Sequence, residues 1–178
     1  MREELGSVVT IESRAFPLRP APARGVAFKS TYREEGWRRC AEMSAADGIR
    51  FTPWPHAELP GFSLPALEAA KCVAKQSGEL FERVHLALYE AFFTESRNIA
   101  DAKEVAATLA AAGADMERFT ADFEAGIGRD AVMSDYEAAV SEHGVRSIPT
   151  VIVTDTGRAL VGLTDYAVYR AAVEEALA

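Results

Sequence analysis

Thiols and imidazoles are scarce here: 178 residues hold two cysteines and three histidines. Cys40 and Cys72 form no C-x-x-C pair and have no metal-type spacing. His56, His85 and His143 form no i, i+4 pair, so neither a dithiol centre nor a zinc site is expected. The two cysteines read as small buried hydrophobes, with no catalytic role. No Gly-rich phosphate loop, G-x-S-x-G elbow or Ser/His/Asp order occurs, and no cofactor is expected. No stretch approaches ~18 uninterrupted apolar residues, and the opening Met1-Arg2-Glu3-Glu4-Leu5-Gly6-Ser7 is too charged for a signal peptide. A cytoplasmic protein outside the membrane is the default expectation. Basic charge is also short, with 19 Lys+Arg against 27 Asp+Glu and a net charge of -8, which disfavours nucleic acid and anionic membranes as partners. The imbalance is uneven: residues 1–50 carry a net +2 and the remainder -10. Arg33, Arg38 and Arg39 are interleaved with Glu34, Glu35 and Glu42, the pattern of a solvated helix face.

What is present is an alternation of β-type and helical patterning. Val8-Val9-Thr10-Ile11 opens a β-rich run that predicts a strand from about Ser7 to Phe16, closed by Pro17 and Pro20. Residues 17–30 read as a loop. A hydroxyl cap at Ser30 or Thr31 starts a helix to about Asp47, stopped by Gly48. Ile49–Gly61, with Pro53, Pro55 and Pro60, must be extended or irregular. Five helical segments follow, opened in turn near Ser63, Glu79, Asp101, Asp115 and Arg129, and they end at Gly144. Phe81, Tyr89, Phe92 and Phe93 form an aromatic stripe that reads mainly as a core face. Glu82–His85 and Asp135–Glu137 read as surface positions. A final helix from Asp165 through Leu177 places Tyr166, Tyr169, Ala172, Val173 and Ala176 on its buried side.

The most informative stretch is Ser147-Ile148-Pro149-Thr150, where a proline leads straight into Val151-Ile152-Val153. Proline cannot donate to a ladder, so it starts a strand or sits at an edge, and Thr150–Thr154 is expected as a buried strand beginning directly after it. Ile148, preceding proline, is pushed out of the helical region, which leaves its backbone groups free to face a ligand. A plain strand-start proline and a cis recognition corner both satisfy this pattern. Asp155-Thr156-Gly157 then turns the chain into a second strand, Ala159–Val161, as a β-hairpin. Strand, helical block, hairpin and terminal helix make an α/β or α+β layout whose three strands form a thin sheet short of one strand.

Motifs spread along the chain resemble the DsbA/FrnE-type branch of the thioredoxin-like superfamily, related to 2-hydroxychromene-2-carboxylate isomerases and kappa-class glutathione transferases. They are Phe16-Pro17-Leu18 after a strand, Trp37, Ala45-Ala46-Asp47-Gly48-Ile49, Ser63 and Ala66, Leu88-Tyr89-Glu90-Ala91-Phe92-Phe93, Ile99-Ala100-Asp101, and Gly144-Val145-Arg146-Ser147-Ile148-Pro149-Thr150. The last is similar to the family's Gly-Val-x-Gly-Val-Pro-Thr. The resemblance implies an incomplete thioredoxin-like α/β fold, residues 1–178 as one domain, with a helical insertion over about 62–143 between the second strand and the cis-proline strand. It also implies that Pro149 is cis and that Ser147, Ile148, Pro149 and Thr150 face an extended peptide or thiol substrate.

The chain departs from the family at its start. In these relatives a strand, an active-site turn bearing C-x-x-C or serine, and a first helix precede the strand ending in Phe-x-Leu. Here Met1–Gly6 resembles only the tail of that helix. The expectation is therefore a relative of thiol–disulfide oxidoreductases and isomerases that is inactive alone, with no catalytic residue of its own. Two alternatives stand beside it: a noncatalytic peptide-binding or homodimerising module, and a glutathione-dependent isomerase or transferase relative.

Overall fold

The computed structural model describes residues 2–178. In chain order the elements are α1 (Arg2–Leu5), β1 (Val26–Ala27), α2 (Tyr32–Ser44), β2 (Glu58–Leu59), α3 (Leu64–Ala74), α4 (Gly78–Tyr89), α5 (Ala102–Ala111), α6 (Met116–Glu124), α7 (Ile127–Ser141), β3 (Thr150–Val153), β4 (Arg158–Val161) and α8 (Tyr166–Leu177). A π-helical turn over Glu90–Thr94 extends α4. The chain divides into two compact units, residues 17–134 and residues 1–16 with 135–178.

The helices of the first unit start where capping chemistry places them. Thr31, Ser77, Asp101 and Asp115 accept hydrogen bonds from Arg33, Leu80, Lys103 and Arg118 backbone N–H groups respectively. Ser63 also precedes its helix, but its hydroxyl is engaged elsewhere, exchanging 3.0 Å hydrogen bonds with the backbone of Arg19. Ala69, Cys72 and Val73 of α3, Val84 of α4, Val105 and Leu109 of α5 and Phe119 of α6 close into one apolar core. Burying a Val or Leu fully contributes about 1.5–3 kcal/mol, so these helices are held mainly by their shared face. Helices α3 and α7 approach at Gly128, where a Cβ would collide with the Glu68 carbonyl and the Cys72 sulfur.

Trp37 organises the rest of this unit. It meets Phe28, Phe51, Trp54, Phe92 and Phe93 at ring-centroid distances of 5.1–6.0 Å, and its indole N–H donates to Thr52 O at 2.9 Å. The π turn sets Phe92 and Phe93 both against it. The aromatic stripe is thus largely core, with Tyr89 left half in solvent. The segments expected as irregular on either side of α2 meet in a two-residue antiparallel ladder, Val26 opposite Leu59 and Ala27 opposite Glu58.

In the second unit β3 and β4 form the expected hairpin, with Thr150 opposite Val161 and Val153 opposite Arg158. Helix α8 buries Ala172 completely and ties to the hairpin through Arg158–Glu175 at 2.7 Å and through the Tyr169 hydroxyl donating to Gly162 O at 3.1 Å. Tyr166, expected on the buried side, is exposed. Arg2–Leu5 is helical, in keeping with the expected helix tail; Met1 lies outside the described residues.

Two of the expected strands require correction. The strand predicted over Ser7–Phe16 does not form: Gly6–Val8 is a 3₁₀ turn and residues 9–16 carry no ladder. β-prone sequence becomes a strand only when another backbone pairs with it along its length. Here Ala15 N–H is spent on a carboxylate, and Val8 and Ile11 stay exposed. The second correction concerns β3, expected as buried. Val151 is 42% exposed and Ile152 and Val153 are half-buried, because among the described residues only β4 pairs with this strand.

Candidate functional site

The corner at residues 147–150 is built by a helix stop followed by a strand start. Helix α7 ends with His143 N–H bonding back to Ala138 O and Val145 N–H to Ala139 O, while Gly144 takes the left-handed conformation (φ 61°) that this reversal needs. The chain then turns at Ser147, whose carbonyl accepts the Thr150 hydroxyl at 2.7 Å. The Ile148–Pro149 peptide is cis, and Pro149 O accepts Gly162 N–H at 2.8 Å, fastening the corner to the end of β4. Ser147, Ile148 and Pro149 are exposed and Thr150 is half-buried.

Ladder parity gives this corner a reactive edge. An antiparallel pair alternates hydrogen-bonded and non-bonded residue pairs. The Gly162–Pro149 bond sets the phase, so Val151 with Leu160 and Val153 with Arg158 are bonded, and Thr150 and Ile152 point their N–H and C=O groups away from β4. Among the described residues no other segment takes up these groups, nor the backbone of Ile148, which is 44% exposed. Such an edge accepts another extended backbone, with main-chain hydrogen bonds for affinity and Ile148 and Val151 as apolar contacts.

Sulfur chemistry has less to work with. Cys72 is fully buried in the core and burial pushes its thiol up, against a smaller opposing pull from its hydrogen bond with Gly128. A thiol raised in this way is a poor nucleophile, because the thiolate is the attacking form. Cys40, expected like Cys72 to be buried, is instead exposed on α2, and neither cysteine is in a disulfide. Among the described residues no group of three His, Cys, Asp or Glu side chains is placed to hold a metal ion. His56 packs against Trp54, and His85 lies between Phe81 and Tyr89. An open apolar cavity of about 230 Å³ lies among Pro65, Ala102, Lys103, Val105, Ala106, Phe119 and Phe123.

Two carboxylates that sequence reasoning missed are buried. Asp135, expected at the surface, is 5% exposed and accepts Ala15 N–H at 2.7 Å and Arg14 Nη1 at 3.1 Å; the bond with Arg14 also holds its guanidinium above its usual pKa. Glu68, also 5% exposed, accepts Arg129 Nε at 2.7 Å. Both partners are remote in sequence, so no local spacing announces them.

A family model for the DSBA-like thioredoxin domain matches residues 3–174. No curated protein matches the chain. Among solved structures, a proposed protein disulfide isomerase from Nitrosomonas europaea is similar at TM-score 0.75 and 17% identity, covering 99% of this chain and 85% of that one. A probable DsbA oxidoreductase from Streptomyces coelicolor is similar at TM-score 0.74 and 20% identity, covering 92% of this chain and 74% of that one. At these identities the two structures speak to the fold, which is thioredoxin-like, mixed α/β and mostly helical. The chain belongs to the DSBA-like thioredoxin domain family.

Proposed function

We propose that this chain is a binding member of its family: it holds an extended peptide at the Ile148–Pro149 corner and along the outer edge of β3, and does not itself exchange disulfides. The observation that carries the reading is the outward set of backbone groups on Ile148, Thr150 and Ile152, beside exposed apolar side chains on a strand with no charged residue. An incoming strand is oriented there by hydrogen bonds at alternate residues and selected by what fits against Ile148 and Val151.

The inactivity rests on the thiols. Disulfide exchange needs an accessible thiolate, and a second thiol close to it to resolve the mixed disulfide. Cys72 is buried with its proton held on, and Cys40 has no C-x-x-C partner. In the reducing compartment we assign to this protein, both remain free thiols. Glutathione is the other ligand in view, since its backbone is short enough to lie on the same corner. Titration separates the readings: saturable glutathione binding with no peptide binding would move the chain to the isomerase and transferase branch.

The test is an insulin-reduction and dithiol-oxidation assay on the purified chain. No turnover above buffer is expected. Turnover that persists in the C40S and C72S variants would overturn the reading, and turnover lost in either would make that cysteine the nucleophile.

A further inference from the structure

The 230 Å³ cavity is walled by α3, α5 and α6, three helices of residues 17–134. Its shape follows from residue size. On α5, Ala102 and Ala106 stand one turn apart on one face; on α6, Phe119 and Phe123 do the same, their rings 5.4 Å apart and tilted by 44°. Two methyl groups thus stand where longer side chains would close the space, and Pro65 at the start of α3 adds only a short ring. The floor is core: Val105 is 1% and Phe119 7% exposed. Ala102 and Lys103 are exposed, and the cavity opens on their side.

We propose that this cavity is a binding site for a small monocarboxylate whose apolar body holds about eight carbons. An apolar cavity of about 150 Å³ takes benzene, so 230 Å³ has room for roughly half as many atoms again. Water is a poor occupant, because a buried water needs two to four polar partners and these walls are apolar side chains. The carboxylate is assigned by Lys103, the one charged residue in the lining. Its aliphatic stem forms part of the wall, and its ammonium has no hydrogen-bond or ion-pair partner among the described residues. Both acids next to it on the chain are engaged elsewhere: Asp101 accepts the Lys103 backbone N–H at 2.8 Å, and Glu104 pairs with Arg97 at 2.7 Å.

The apolar body lies against Phe119 and Phe123, and the carboxylate emerges beside the Lys103 ammonium. A ligand this small, with one solvent-exposed ion pair, binds with a dissociation constant on the order of 10⁻⁴ to 10⁻³ M. A straight acyl chain and an aryl acid share this chemistry, and octanoate and 3-phenylpropionate distinguish them. The site shares no residue with the Ile148–Pro149 corner or β3, so it stands whether or not a peptide binds there.

Titration of the full chain with octanoate, 3-phenylpropionate and the neutral 1-octanol, followed by methyl NMR, tests it. Saturable shifts of the Val105 and Ala106 methyl groups are expected with at least one of the two acids, and the tighter acid names the body as chain or ring. Lys103→Gln, an exposed change that leaves the fold intact, weakens the acids about fivefold and leaves 1-octanol unchanged. Ala106→Leu fills the space and abolishes binding, with circular dichroism checking that the variant is folded. A cavity that is only a packing defect gives no saturable shift at Val105 and Ala106 with either acid, and that result overturns the proposal. So does acid binding that Lys103→Gln leaves unchanged, or binding that persists in folded Ala106→Leu, since the ligand then lies elsewhere.

Discussion

Asp135 and Ala15 are joined by a 2.7 Å hydrogen bond from the backbone N–H of Ala15 to the Asp135 carboxylate, and the same carboxylate takes Arg14 Nη1 at 3.1 Å. One buried side chain on α7 thereby holds the end of a segment that has no ladder. Phe16 adds an edge-on contact to Tyr136 at 5.0 Å, one residue further along each chain.

Replacing that carboxylate is expected to be costly. Asp135→Ala leaves Ala15 N–H without its acceptor in a buried place and lowers stability by about 2–4 kcal/mol, while Asp135→Asn, which keeps an acceptor, costs less. Urea denaturation followed by circular dichroism checks this. A loss below about 0.5 kcal/mol for the alanine variant would remove Asp135 as the clamp.

Gly128 carries a second structural prediction. A Cβ there would lie 2.7 Å from Cys72 Sγ and closer still to the Glu68 carbonyl, which is backbone and cannot swing aside. Gly128→Ala is expected to destabilise by about 2–3 kcal/mol, whereas Gly78→Ala, with open space around it, stays near wild type. Equal melting temperatures for the two variants would contradict the close α3–α7 approach.

The contrast between these residues marks what sequence made legible. Three helix starts were readable because capping is local: Thr31, Asp101 and Asp115 lie directly before the N–H groups they satisfy, whereas the cap at Ser77 was not read and Ser63 makes no cap bond. The strand start after Pro149 was readable for the same reason, since a proline ahead of a β-branched run constrains its own neighbours, while the cis corner was implied only by the family resemblance. The Ser7–Phe16 segment was misread because strand formation depends on a partner backbone that local composition does not reveal. Asp135 and Glu68 look like surface acids, and partners that arrive from distant positions, Arg14 and Arg129 among them, help make their burial tolerable. The outward phase of β3 needed the observed register, because a one-residue slip would exchange its two edges.

The two cysteines should differ sharply toward an alkylating reagent. Cys40 is expected to react in the native protein and Cys72 only on unfolding, read by mass spectrometry of iodoacetamide-treated samples. Because burial raises the Cys72 thiol, the unfolded chain releases that proton at lower pH than the native chain does. The stability involved is present below the ordinary thiol range and is lost as pH rises through it. Cys72→Ala should flatten this alkaline decline. Native labelling of Cys72 as fast as Cys40 would contradict its burial.

The phase of β3 predicts an asymmetry between adjacent proline substitutions. Val151→Pro removes an N–H bonded to β4 and should disrupt the hairpin, while Ile152→Pro removes an outward N–H and should leave it folded. Amide chemical shifts of Arg158–Val161 distinguish the two. Disruption by Ile152→Pro with Val151→Pro left folded would show the ladder phase to be reversed, and disruption of equal extent would contradict the asymmetry.

The most direct measurement is a fluorescence-anisotropy titration of an extended, apolar, labelled peptide against wild type and Ile152→Pro. Saturable binding to wild type that is lost in the folded Ile152→Pro variant is the predicted result. Absence of binding to wild type, or binding that Ile152→Pro leaves unchanged, would contradict a peptide site on the outer edge of β3.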